Sequence, residues 1–265
     1  MSDFFLLKLL LTFAVGSLIV TLSTVAADKF GSKVGGFVGG LPSTVAITLF
    51  FIGFVQTPRV ASEATNIIPL VVGFNGVFLV IYTILVRQGL VMGIIGALLV
   101  WFSLSLLAII LDLQNFWFSF SVFLILLVGS YYFLEKRLKL RSGGKGDVRV
   151  TFSQIAFRAF FSGSIITVGV YLSKVGGPIW GGIFAPFPAV FITTLVITGK
   201  SRGVEFSRSI TKSLLISGMI NTVAFAAAAR YFYLLSGLVL GTILAYGVSG
   251  ISAYGTYVFI KEKIT

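Results

Sequence analysis

Two stretches of this chain carry the same glycine- and proline-rich pattern. Residues 32–42 read SKVGGFVGGLP, and residues 173–188 read SKVGGPIWGGIFAPFP. Each stretch lies at the start of an apolar segment, and most of the chain consists of such segments. Glycine and proline interrupt helices, so the same interruption at matching places in two halves of a membrane protein indicates a central transport site.

The composition is that of a protein with many membrane-spanning helices. Of the 265 residues, 57% are hydrophobic and 11% are charged, and the mean hydropathy is +1.06. Soluble domains carry about 25% charged residues, so this chain has too few polar side chains to cover a water-facing surface. We predict an all-α polytopic membrane helix bundle of about nine helices, near residues 4–26, 36–56, 65–86, 89–111, 115–134, 152–174, 179–199, 210–229 and 236–260.

Several function classes are excluded or disfavoured by missing residues. Cysteine and histidine are absent, which excludes disulfides, thiolate nucleophiles and Cys/His metal sites. The sequence contains no P-loop, no Ser/His/Asp set and no carboxylate cluster at membrane depth. We therefore predict no enzyme activity, no catalytic residues, no metal and no cofactor.

The distribution of positive charge predicts the orientation. The net charge is +12, and residues 135–150 contain six basic and two acidic residues. Lys and Arg accumulate on the cytoplasmic side of membrane proteins, so we place this connector inside. The N-terminus is then outside and the C-terminus inside, in a multi-pass protein of the cytoplasmic membrane. Nucleic acid is not an expected partner, because the charge follows the membrane loops.

The two halves correspond beyond the glycine motif. Residues 16–19 match 163–166, Asn75 matches Asn221, and residues 89–93 match 237–241. Four helices on each side of one unpaired helix give the halves opposite orientations, which is an inverted-topology repeat. We predict repeat one at 1–112, a linker helix and basic loop at 113–150, and repeat two at 151–265.

The interrupted segments provide the candidate substrate site. A helix that starts within the membrane presents unpaired N–H groups, which attract anions. A buried amide or hydroxyl near such a start could bind solute. The substrate-binding candidates are Gly39, Gly40, Pro42, Ser43, Thr44, Asn75, Gly181, Gly182, Pro186, Pro188, Thr194 and Asn221. The alternative is structural: small residues let membrane helices pack closely, and the amides bond neighbouring helices.

Two pairs of charged residues are candidate gates. Arg59 and Glu63 precede the third segment, and Arg202 and Glu205 precede the eighth. Their spacing permits an ion pair on one helix face. One interpretation is a pair on each membrane face that opens as access switches; the other is a solvated pair at a helix start.

The stretch from 163 to 218, with GGIFAPFPAVFITTL and KSRGVEFSRSITKSLLISG, resembles a motif of small, poorly characterised prokaryotic membrane proteins. GlpM-like proteins are the nearest named family. In them a Gly-Gly pair precedes a helix that starts with Phe-Pro or Leu-Pro. The resemblance implies a small prokaryotic membrane protein with this unit duplicated, and it supplies no substrate.

These observations predict a secondary transporter or facilitator for a small solute, with an anion favoured over a cation, working by alternating access between the two repeats. The alternative is a non-transporting scaffold or accessory subunit of an envelope or export complex. The expected partners are the lipid bilayer and a small-molecule solute. The sequence leaves the oligomeric state open, including a homo-oligomer.

Overall fold

The computed structural model describes residues 3–29, 41–140 and 151–263, and within these ranges it is helical with no strand. Seven helical runs are long and apolar enough to cross a membrane, and a shorter apolar helix covers Ser43–Val55. The protein is therefore a polytopic membrane helix bundle, as predicted. The seven runs are Phe4–Val25, Ile68–Gln88, Leu90–Ile110, Phe116–Arg137, Phe152–Gly176, Pro178–Arg202 and Val204–Glu262.

In the described part of the first half, the chain forms five α-helices. They are α1 (Asp3–Lys29), α2 (Ser43–Val55), α3 (Pro58–Ala64), α4 (Ile68–Leu85) and α5 (Leu90–Ile110). Helix α3 starts at a favourable sequence, because the Thr57 side chain accepts a hydrogen bond from the Val60 N–H and proline occupies the first helical position.

Helix α6 (Phe116–Tyr132) follows, capped by Asn115 and extended by a π-helical turn at Phe133–Arg137. The second half forms α7 (Phe152–Gly176), α8 (Pro178–Phe184), α9 (Ala189–Arg202), α10 (Val204–Ser209), α11 (Thr211–Ser213), a π-helical turn at Leu214–Gly218, and α12 (Met219–Lys263). A capping box of Thr151 and Gln154 starts α7.

Two glycines with positive φ reverse the chain at sequence-matched positions. Gly89 has φ 136° and leads into α5, and Gly237 has φ 74° and breaks α12. Beyond Gly237 the chain folds back on itself. The contact that shows this is a hydrogen bond from Ser249 Oγ to the Asn221 carbonyl oxygen at 3.0 Å. The long last run is therefore two antiparallel limbs. Counting these limbs separately and including α2 gives nine segments in the described residues, the number expected from the sequence.

The first helices of the two halves pack antiparallel to each other. Phe5 contacts Tyr171 and Phe13 contacts Phe160, with ring centroids 6.4 and 5.7 Å apart. Further along α1, Ser17 Oγ donates to the Ala159 carbonyl oxygen at 3.1 Å. As the residue number rises on α1 it falls on α7, so these two helices run in opposite directions.

Two helical runs form the centre of the bundle. Within an apolar 18-residue window of each run, 72% of the residues are buried in Ile68–Gln88 and 78% in Pro178–Arg202, against 17–28% in the other five runs. The outer helices present their large apolar side chains on the surface, as lipid-facing helices do. The interior therefore lies around α4 and the broken run α8–α9.

Candidate solute cavity

Helices α2 and α9 begin with the same proline-centred turn. Pro42 has φ −80° and ψ 58°, and Pro188 has φ −73° and ψ 37°. The N–H after each proline donates to the carbonyl oxygen before it, at 2.8 Å for Ser43 and 2.7 Å for Ala189. These are inverse γ-turns. The duplicated sequence pattern thus has the same backbone geometry at both prolines.

The two helix starts line one cavity of about 50 Å³, which has room for a few water molecules or one small ion. The structure brings together six of the predicted substrate-binding residues here: Pro42, Ser43, Thr44, Asn75, Pro186 and Pro188. The other lining residues were not among the predicted substrate-binding residues; they are Leu41, Val45, Phe187, Val190, Phe191, Gly218 and Thr222.

The cavity lies near the middle of the bundle. Helix α4 has 18 residues, or about 27 Å of length, and Asn75 is its eighth residue. Helices α2 and α9 have 13 and 14 residues, which is shorter than the roughly 20 needed to span a bilayer. Both therefore begin within the membrane-spanning region and run away from the cavity.

Backbone N–H groups at both helix starts make the surroundings of the cavity electropositive. The N–H groups of Thr44, Val45, Val190 and Phe191 have no acceptor among the residues that the structure describes, as expected for the first turn of a helix. All four residues line the cavity. Two helix N-termini thus place partial positive charge on the same small volume.

Asn75 connects the cavity to the bundle around it. Its Nδ2 donates to the Pro186 carbonyl oxygen at 2.8 Å, and its Oδ1 accepts from Trp101 Nε1 at 2.8 Å. Trp101 is completely buried and stacks edge-on against Phe187. One amide thus holds the turn before α9 in place, and it borders the cavity at the same time.

The glycines of the second motif serve packing instead of lining the cavity. A Cβ at Gly181 would lie 2.7 Å from Ile52 Cδ1 and from Ser173 Cβ. A Cβ at Gly182 would overlap the Ala64 carbonyl oxygen and lie 2.6 Å from Ile67 Cγ2. The two glycines therefore let α8 pack closely against α2, α3 and α7. The first copy of the motif, with Gly39 and Gly40, falls outside the described residues.

Two other candidates also lie away from the cavity lining. Asn221 Oδ1 accepts from Ser252 Oγ at 2.8 Å and from Thr256 Oγ1 at 3.3 Å, so this amide joins the two limbs of α12. Thr194 Oγ1 accepts from Arg158 Nη2 at 2.9 Å. Asn75 and Asn221 match in sequence, but only Asn75 lines the cavity.

One of the two expected ion pairs is present, and in the other the glutamate pairs with a different arginine. Arg59 Nε and Glu63 Oε1 are 3.0 Å apart, as the spacing predicted. The prediction for Glu205 was wrong: both its carboxylate oxygens accept from Arg208 Nη1, at 2.8 and 2.7 Å. The reason is that Gly203, with φ 86°, ends α9 after Arg202, whereas Glu205 and Arg208 share α10. The Arg202 guanidinium lies 4.9 Å from the Phe206 ring centre.

Charged side chains cluster at one end of α4. Arg208 is 2% exposed, and its Nε donates to the Thr83 carbonyl oxygen at 3.0 Å. Nearby on the chain, Lys212 Nζ donates to Glu135 Oε2 at 2.8 Å. The sequence analysis did not assign roles to Arg208, Lys212 or Glu135. Their position at the ends of apolar segments could have identified these three residues, because a buried charge there needs a partner.

A second cluster lies at the other end of α4. Arg230 Nη1 donates to Asn66 Oδ1, its guanidinium lies 5.0 Å from the Phe116 ring centre, and Ser62 Oγ donates to the Arg230 carbonyl oxygen at 2.7 Å. Arg59, Glu63 and Arg230 border one depression. The cavity at Asn75 is therefore located between two charged clusters.

One family model matches part of the chain. A family model described as "Protein of unknown function (DUF3147)" matches residues 9–113, which contain most of α1 and all of α2 to α5. Searches of curated proteins and of solved structures gave no significant match. The resemblance to GlpM-like proteins is not tested by this match and stays a prediction.

Proposed function

We propose that the protein is a secondary transporter or facilitator that moves a small anionic solute across the cytoplasmic membrane. In this proposal residues 1–112 and 151–265 are inverted repeats that alternate between two states. The N-terminus lies outside and the C-terminus inside, as the basic connector suggests. One observation carries the proposal: two proline-initiated half-helices from sequence-matched segments meet at one cavity.

Other features support the inverted repeat. The matched helices α1 and α7 pack antiparallel through Ser17 and Ala159. Gly89 and Gly237, which match in sequence, both have positive φ at a chain reversal. The family match over 9–113 also covers one proposed repeat and little more. Inverted repeats with broken helices at the midplane are a common architecture among secondary transporters.

The chemistry of the cavity favours an anion. Four N–H groups without acceptors among the described residues, at Thr44, Val45, Val190 and Phe191, surround it, and no acidic residue is among its described lining residues. Helix N-termini favour negative charge, whereas a cation would need carboxylate or carbonyl oxygens. Thr44 and Asn75 add neutral hydrogen-bonding groups at the same place.

The charged clusters at the two ends of α4 are the proposed gates. One contains Arg59, Glu63 and Arg230, and the other contains Arg208 with Glu205. Opening one cluster would connect the cavity to one side of the membrane while the other stays closed. Because Arg208 is almost completely buried, breaking its contacts is costly, which suits a gate that opens only in a concerted movement.

The test is flux into proteoliposomes. Osmotic swelling is measured in a panel of potassium salts (chloride, nitrate, acetate, sulfate and phosphate), with valinomycin present so that K⁺ can accompany the anion. We expect at least one salt to enter faster than in protein-free liposomes. Thr44→Val should lower that rate, because it removes a hydroxyl that borders the cavity. Thr48→Val is the matched control: one turn along α2, its hydroxyl donates to the Thr44 carbonyl oxygen at 2.8 Å.

Equal swelling for protein-containing and protein-free liposomes with every salt would contradict anion transport. Equal rates for wild type and Thr44→Val would remove the cavity from the pathway. A stable protein partner recovered together with the absence of flux would favour the scaffold function instead.

A further inference from the structure

Arg158 is a partly buried cation in a membrane-spanning helix, and no matching anion lies near it among the described residues. It lies in α7, about one and a half turns after the helix start at Phe152. Its Nη2 donates to Thr194 Oγ1 at 2.9 Å. Its Nε is buried and has no hydrogen-bond partner within the part of the chain that the structure describes. Among the described residues it forms no ion pair, so a neutral hydroxyl is the partner that the structure provides.

Lys8, the other cation within a first helix, differs in this respect. Its Nζ donates to the Phe54 carbonyl oxygen at 3.2 Å and lies 4.9 Å from the ring centres of both Phe4 and Phe54. A cation at the last turn of α2 is stabilised by the helix dipole and by the two rings. Lys8 therefore has a structural role, whereas the guanidinium of Arg158 keeps unused donors.

Arg158 lies close to the solute cavity along two helices. Its partner Thr194 is one helical turn, or about 6 Å, beyond Val190, which lines the cavity. On its own helix, Phe161 is three residues further on, and its ring centre is 6.3 Å from that of Phe187, another lining residue. The guanidinium is thus about one turn from the cavity, on the side toward which α9 runs.

The remaining donors match an oxyanion. Arginine presents a planar set of N–H groups that binds carboxylate, phosphate or sulfate through two parallel hydrogen bonds. The Thr194 hydroxyl accepts from Arg158, and no acceptor for its own proton is found among the described residues. It can therefore donate to the same anion. An ionisable residue within a membrane helix is by default a candidate functional site.

We propose that Arg158 and Thr194 form an anion-binding site beside the cavity that is selective for oxyanions. The solute binds at this site before it enters the cavity between the two helix starts. This inference rests on the proposed function, because it places the site on the transport path. A phospholipid headgroup carries the same oxyanion chemistry, so the test separates a dissolved anion from a lipid.

The experiment measures thermal unfolding of the full-length protein in nanodiscs of phosphatidylcholine, which has no net charge. Phosphate, sulfate and acetate are titrated at constant ionic strength. We expect at least one of them to raise the Tm of wild type with a saturable concentration dependence. Arg158→Gln should weaken the apparent affinity about tenfold or more, because a charge-assisted bidentate contact is lost. Lys8→Gln is the matched control and should bind as wild type does.

The outcomes separate the two ideas. If none of the three anions gives a saturable shift, or if Arg158→Gln binds as tightly as wild type, the site is wrong, even if proteoliposomes show flux. If anions bind through Arg158 but no salt is transported, the site stands and the transport function fails. If phosphatidylglycerol in the nanodisc raises the Tm through Arg158 and dissolved anions do not, the oxyanion is a lipid headgroup and a transport role for the site is refuted.

Discussion

The amide of Asn75 makes the clearest quantitative prediction about the cavity wall. Asn75→Leu keeps a side chain of similar size but removes both hydrogen bonds, the one to the Pro186 carbonyl oxygen and the one from Trp101 Nε1. Trp101 is completely buried, so its N–H would be left without a partner. That loss costs about 1–3 kcal/mol, and an interhelical hydrogen bond in a membrane protein contributes about 0.6 kcal/mol on average.

We therefore expect Asn75→Leu to lower the free energy of unfolding by about 2–3 kcal/mol. The assay is reversible unfolding in mixed micelles of mild detergent and SDS, followed by tryptophan fluorescence and circular dichroism. A double-mutant cycle with Trp101→Phe isolates the contact. Once Asn75 is gone, Trp101→Phe removes the unpaired N–H, so the double mutant should be more stable than the sum of the single effects predicts, by about 1 kcal/mol.

Strictly additive effects of Asn75→Leu and Trp101→Phe would refute this reasoning, because two residues that share a buried hydrogen bond must be coupled. A loss of less than about 0.5 kcal/mol for Asn75→Leu would be equally damaging, since a completely buried N–H cannot lose its acceptor without cost.

Two further predictions concern packing and the charged clusters. Gly182→Ala should lower the free energy of unfolding by about 1–3 kcal/mol, because the new Cβ would overlap the Ala64 carbonyl oxygen. Gly247→Ala is the control: the space around Gly247 is open, so this variant should be more stable by less than about 1 kcal/mol. Equal effects of the two variants on detergent unfolding would contradict the packing role of Gly182. Lys212→Met should be less destabilising than Glu135→Gln in the same assay. Glu135→Gln leaves the Lys212 ammonium, which is 5% exposed, without its carboxylate partner. The opposite order would argue against a buried ion pair.

The sequence was sufficient to predict the fold class and the segments because twenty-residue apolar runs have few alternatives in a membrane. It also identified Pro42 and Pro188, since proline before a long apolar run after paired glycines is a strong helix-start signal. What it could not settle was which residues of the motif face the cavity. Gly182 lies in α8 and packs against Ala64, whereas Pro186 lies beyond the end of α8 and borders the cavity.

The partners of the polar residues were harder still, because they come from distant parts of the chain. Asn75 and Asn221 match in sequence, but the Asn75 side chain pairs with Trp101 and the Asn221 side chain with Ser252 and Thr256. The pairing of Glu205 depended on one backbone angle: Gly203 ends α9, and this break separates Glu205 from Arg202. A residue pattern read in one dimension contains neither piece of information.

The chain has no cysteine, so single-cysteine variants measure access to the cavity directly. Thr44→Cys and Val190→Cys place a thiol on the two helix starts, Asp112→Cys is an exposed positive control, and Gly247→Cys is an exposed position on an outer limb of the bundle. An anionic, membrane-impermeant methanethiosulfonate reagent is applied to proteoliposomes from outside or from inside. Our account predicts that Thr44→Cys and Val190→Cys react from both sides, while lipid protects Gly247→Cys. Cavity cysteines that stay unreactive from both sides, while Asp112→Cys reacts, would contradict it.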